Sequence, residues 1–174
     1  MNMDKINQWL TLAANLSVLA GILFLALELN QNGQMMRTQT RNAISDSIIN
    51  FQLNSVSSGL QALAYKANSD PSSLTREESQ NVLLFYVANL RLWENIYYQY
   101  RNGLFDEAEF EAESSSWRAL GERTPLLRSA YCVLKPQGSL SSDFVKEMDT
   151  LSYDDPGSCE FKFQLSYPQN VSQP

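Results

Sequence analysis

A chain of 174 residues accommodates one domain of ordinary size plus an appendage, and 13 Lys and Arg against 19 Asp and Glu leave a formal charge of −6. That balance, with no Lys/Arg-rich run, excludes general nucleic-acid binding, because neutralising phosphates requires a basic face. The absence of histidine removes the side chain most used for proton transfer near neutral pH and for holding transition metals.

The N-terminal segment is the most distinctive part of the chain. No charged residue occurs from Ile6 through Leu27, a run that extends about 33 Å as a helix, against a hydrocarbon core of about 30 Å. Trp9 stands near its start, where an amphipathic ring favours the interface, and Asp4 and Lys5 fall at the level of the headgroups. The segment therefore reads as a membrane span, with the lipid bilayer as its surroundings. Asn15 lies within the apolar length, and an amide there needs a neighbour, which points to association between helices. Ser17, Ala20 and Gly21 add small residues where backbones approach closely. Two other readings compete: a buried core helix, which the apolar run from Leu16 to Leu27 fits equally well by itself, and a cleaved signal peptide. The second is disfavoured by the single lysine ahead of the run and the lack of an obvious cleavage site.

Asn32-Gly33 is a turn-prone pair and predicts a break or hinge between an anchor over 1–32 and a helical domain over 33–151. Beyond it, Ile49, Leu53, Val56, Leu60 and Leu63 alternate at four- and three-residue spacing, which predicts an amphipathic helix ending at the "NSDPSS" segment. Thr75 and Glu78 form a capping-box pair, followed by Leu83, Tyr86, Leu90, Trp93, Tyr97 and Tyr100 on one face, and Gly103 as a helix stop. Asp106 with Glu109 opens the next helix, whose apolar side is Phe110, Trp117 and Leu120. Thr124-Pro125 opens another that Lys135-Pro136 closes, and Ser141 or Ser142 caps a last one to about Leu151. The predicted fold class is all-α: an N-terminal transmembrane helix followed by an antiparallel bundle of about five helices. In the remaining 152–174, Phe161, Phe163, Leu165 and Tyr167 alternate with polar residues, which suggests an extended C-terminal arm lying over the bundle, pairing with its copy or staying loose.

Chemistry is harder to find. Glu107, Glu109, Glu111 and Glu113 offer oxygen ligands for a hard cation, but they cluster at a helix start, where the dipole already favours negative charge. Arg91, Glu94, Tyr98 and Arg101 share one helix face and offer either a seat for a small anionic ligand or ion pairs that fix helix register. No G-x-S-x-G elbow and no glycine-rich phosphate loop occurs, and no cofactor or metal site is implied. Cys132 and Cys159 have no metal-ligand spacing and read as structural free thiols, a disulfide being the alternative in an oxidising compartment.

The pattern "WLTLAANLSVLAGILFLALELNQN", followed at a distance by "ENIYYQYRNGLFDEAEF", resembles an uncharacterised bacterial family of small proteins with one N-terminal transmembrane helix and a helical domain. The resemblance runs from Trp9 to about Phe110 and implies location and fold rather than an activity. Together these readings predict a single-pass protein of a bacterial inner membrane, without evident catalysis, that serves interaction or assembly as a homo-oligomer or beside another membrane protein. A sensor of small anions is the alternative, and an enzyme of unrecognised type the third. Arg37 and Arg41 outnumber Lys5 and tilt the expected orientation toward a cytoplasmic domain.

Overall fold

The structure is a computed structural model that describes residues 3–151, and among these it is all α-helical. The elements are α1 (Met3–Ser57), α2 (Leu60–Ser69), a 3-10 turn (Pro71–Ser73), α3 (Arg76–Arg101), α4 (Glu107–Arg123), α5 (Pro125–Leu134) and α6 (Ser142–Thr150). Two compact units divide the chain, one over 1–40 and the other over 41–174. The predicted arm over 152–174 lies outside the described residues.

The first unit is the N-terminal part of α1. Its apolar side chains from Trp9 to Met36 are exposed, and among the described residues none of its most apolar eighteen is buried. By length and composition this segment is a helix long and apolar enough to cross a membrane. The predicted break at Asn32-Gly33 is absent, because both residues are helical within α1. One glycine costs about 1 kcal/mol relative to alanine, too little to stop a helix already propagating on both sides.

The break comes instead at Gly59, which adopts φ 75° between α1 and α2, a left-handed conformation that suits glycine. It also divides the apolar stripe predicted from Ile49 to Leu63. Ile49, Leu53 and Val56 are exposed, whereas Ile44 and Ser55 are buried and Ile48 and Phe51 are half-buried. Apolar residues stand on two adjacent faces of this part of α1. The phenyl ring of Phe51 stacks on Phe85 of α3 at 5.3 Å, and this contact helps decide which face turns inward.

The helix α3 is the centre of the second unit and packs against α2, α4, α5 and α6. It starts with the full reciprocal cap: Thr75 Oγ1 accepts from the Glu78 amide at 3.2 Å, and the Thr75 amide donates to Glu78 Oε2 at 2.8 Å. Replacing Thr75 with alanine is expected to cost about 1 kcal/mol, read as a lower unfolding midpoint with an unchanged denaturant slope. Tyr86, Leu90 and Trp93 are buried as the spacing predicts, Leu83, Tyr97 and Tyr100 lie at the core's edge, and Val82 and Ile96 broaden the inward face. Gly103, at φ 69°, ends the helix.

Around α3, aromatic rings join the helices. Trp117 of α4 stacks on Trp93 at 5.1 Å and meets Phe110 and, from α6, Phe144 edge-on, while Tyr100 stacks on Phe110 at 4.1 Å. Leu126, Leu127, Ala130 and Tyr131 bring α5 into the same core. The buried Tyr131 hydroxyl donates to Asp149 Oδ1 at 2.7 Å, and Lys135 Nζ reaches the same oxygen at 2.8 Å, so the α5–α6 contact carries a satisfied polar pair. Cys132 departs from the free-thiol expectation. It is disulfide-bonded, and the chain's other cysteine, Cys159, lies outside the described residues.

Candidate functional site

The predicted face on α3 is assembled, but its charges are spent within the chain. Arg91 donates to Glu94 Oε2 at 2.7 Å, and the backbone amide of Ser141 donates to Glu94 Oε1 at 2.6 Å. The Ser141 side chain makes no cap for α6. Instead Glu94 of α3 holds the backbone at the start of that helix. Burial pushes the Glu94 carboxyl up, but the Ser141 amide and Arg91 outweigh it and hold the group below the ordinary carboxylate value.

Arg101 pairs with Asp143 in the first turn of α6 and lies 5.9 Å from the centre of the Tyr97 ring. Lys146 approaches the same aspartate at 3.3 Å. The Arg101 hydrogen bond, reinforced by Lys146, lowers the Asp143 carboxyl below its usual range. Tyr98 is 62% exposed and stands apart from these pairs. Glu94 and Arg101 thus clasp α3 to the start of α6, with Arg91 paired to Glu94 beside them. Asp143 and the Ser141 amide complete this clasp. In the sequence they read only as part of a helix start.

Grooves open on the second unit. One of about 570 Å³ lies between the end of α1 and α3, with Phe51, Leu84 and Phe85 as its apolar wall and Asn54 and Asn81 at its polar margin. Another of about 320 Å³ lies between α3 and α5 along Leu83, Val87, Val133 and Leu134. A third, about 220 Å³, holds Arg41, Ile44, Ile48, Phe105, Glu109 and Glu113. There Arg41 Nε meets Glu109 at 2.6 Å, so the glutamate expected to help cap α4 serves as an ion-pair partner, while Asp106 Oδ1 accepts from the Ala108 amide at 2.9 Å as the cap. Among the described residues no three acidic or cysteine side chains converge as metal ligands.

Glu113 differs from its neighbours. Burial raises its carboxyl above the ordinary value, and the Trp117 indole beside it opposes only part of that rise. A carboxylic acid whose folded value is raised supports the fold while protonated, and that support is lost as pH rises through the raised value. Glu113→Gln is expected to flatten this decline in melting temperature and to leave stability at pH 7 equal to or above wild type. An unchanged slope across the carboxylate range would show that Glu113 is not the group responsible.

Fold and site together describe an all-α chain with one exposed apolar helix at the N-terminus and an ion-paired, aromatic-cored helical unit after it. Comparison with protein-family models, with characterised proteins and with solved structures finds no match to this chain.

Proposed function

We propose that this protein is a single-span membrane protein whose helical unit serves interaction or assembly, as a homo-oligomer or as an accessory to another membrane protein. The observation that carries the reading is the apolar stretch of α1, which none of the described residues covers. In water, exposing that much apolar surface forfeits about 25 cal/mol for each Å² left uncovered, and a bilayer removes the penalty. The same helix also carries Ile44 into the core of the second unit, so cleaving the N-terminal segment as a signal would cut an unbroken helix. Short links between consecutive helices favour the antiparallel bundle, and the resemblance to the bacterial family favours an inner membrane.

The Cys132 disulfide bears on orientation. Structural disulfides persist in oxidising compartments, whereas the flanking bias of Arg37 and Arg41 over Lys5 is small. We therefore propose that the helical unit lies on the oxidising, periplasmic side, an orientation that reporter fusions at the C-terminus check directly. The anion-sensor reading loses its support because Arg91 and Arg101 are both paired. Alkaline carbonate extraction tests the anchor: the protein should stay with the membrane pellet, and complete release into the supernatant would overturn the reading.

A further inference from the structure

We propose that two copies of this chain pair in parallel through the α1 face that carries Gln8, Thr11, Asn15, Val18, Ile22 and Leu25, with the two Asn15 carboxamides hydrogen-bonded across the pair. The proposal rests on the membrane-span reading and names the partner of that span.

Three of the five polar side chains between Ile6 and Leu27 share one face. Gln8, Thr11 and Asn15 follow one another at three- and four-residue spacing, which places them on a single helix face. Ser17 stands off that face, and its hydroxyl donates to the Ala13 carbonyl at 2.8 Å. The Thr11 hydroxyl is likewise satisfied within the helix by the Asn7 carbonyl at 2.8 Å. Asn15 is different in kind, because a carboxamide has two donor hydrogens and an acceptor oxygen. Donation to the preceding turn, as Asn68 makes to the Ala64 carbonyl at 2.8 Å, would still leave the oxygen bare. Uncompensated in hydrocarbon, such a group costs several kcal/mol by order of magnitude.

The face does not end at Asn15. Val18, Ile22, Leu25 and Leu29 continue it, all exposed, and Asn32 and Met36 extend it beyond the apolar run. The alternation of three and four is the seven-residue repeat that lets two helices stay in contact over their length with a left-handed crossing. Gly21 flanks the face with a helical backbone and, among the described residues, open space where a Cβ would stand, and a glycine there lets a second backbone approach closely.

A second copy is the occupant because the face complements itself. All copies enter the membrane in the same direction, so an identical helix presents Asn15 at the same depth, and a carboxamide is both donor and acceptor for another. Gln8 and Asn32 then meet their counterparts at the two ends. A shift by one turn would set each Asn15 against an apolar side chain, so the amides also fix the register. An unrelated helix would have to match three amides at this spacing.

The test uses the full-length chain in membrane vesicles carrying single substitutions Val18→Cys, Ile22→Cys or Leu25→Cys, with Ala20→Cys, Phe24→Cys and Leu27→Cys on the opposite side of α1. Mild oxidation is expected to trap dimers for the first set, while the second set stays at the wild-type background. In the Cys-bearing background, Asn15→Leu is expected to lower the trapped dimer about fivefold or more, and Asn15→Gln to retain it. Equal trapping on both sides, no trapping, or trapping to a different protein would overturn the pairing while vesicle flotation still held the anchor. An unchanged dimer yield in Asn15→Leu would overturn the amide contact. Failure of the wild-type chain to float with the vesicles would instead overturn the span on which the pairing rests.

Discussion

Replacing Trp117 with alanine is expected to destabilise the helical unit by about 3–5 kcal/mol, the largest effect of any single side chain in the core. Trp117 is 1% exposed, and its ring meets Trp93 from α3, Phe110 from α4 and Phe144 from α6. Removing it takes away buried apolar area together with stacked and edge-on contacts worth about 0.5–1.5 kcal/mol each. The hole is lined by large rings on three helices, which limits how far the surroundings can collapse into it. Against a typical domain stability of about 5–15 kcal/mol, a loss of this size brings the unit near its unfolding threshold. Urea unfolding of the full chain in mild detergent, followed by circular dichroism, measures it. A change below about 1 kcal/mol would mean that the aromatic cluster does not hold the helices together.

The second large effect tests the proposed span. Leu19→Arg combined with Leu23→Arg is expected to release the protein from membranes, because exchanging leucine for arginine near the middle of a transmembrane helix costs about 3–4 kcal/mol at each position. The control is Leu53→Arg, an equally exposed leucine outside the span, which should leave membrane association intact. Flotation through a density gradient separates true membrane association from aggregation. Should the doubly substituted protein float as the wild type does, α1 would not be held by its apolar length.

Much of the helical plan is legible in the sequence because its signals are local. The Thr75–Glu78 cap, the Tyr86–Leu90–Trp93 face and the Gly103 stop require only residues within a turn or two of each other, and all three stand in the structure. The charge-free run of the N-terminal segment is equally direct, because length and hydropathy need no partner to be read. The Asn32-Gly33 hinge fails for the complementary reason. A turn-prone pair has weak preferences, and helix propagating from both sides overrides them, whereas Gly59 takes the left-handed conformation that ends α1.

The candidate site illustrates what local spacing leaves open. Arg91, Glu94 and Arg101 do share a face, yet whether that face binds a ligand or another helix depends on what arrives opposite it. Ser141 and Asp143, some forty residues further along, supply the partners and close it. The same holds for the end of α1, where two adjacent apolar faces are each plausible inward sides.

The helical class, the order and caps of the main helices, and an apolar N-terminal segment of membrane-crossing length can be read from the chain alone, because periodicity, capping chemistry and hydropathy act over short distances. It took the packed helices to show that none of the described residues covers this segment, that Ile44 rather than Ile49 enters the core, and that Arg91 and Arg101 of α3 pair with carboxylates. Burial and pairing belong to contacts between segments distant in the chain, and those contacts exist only once the helices have packed.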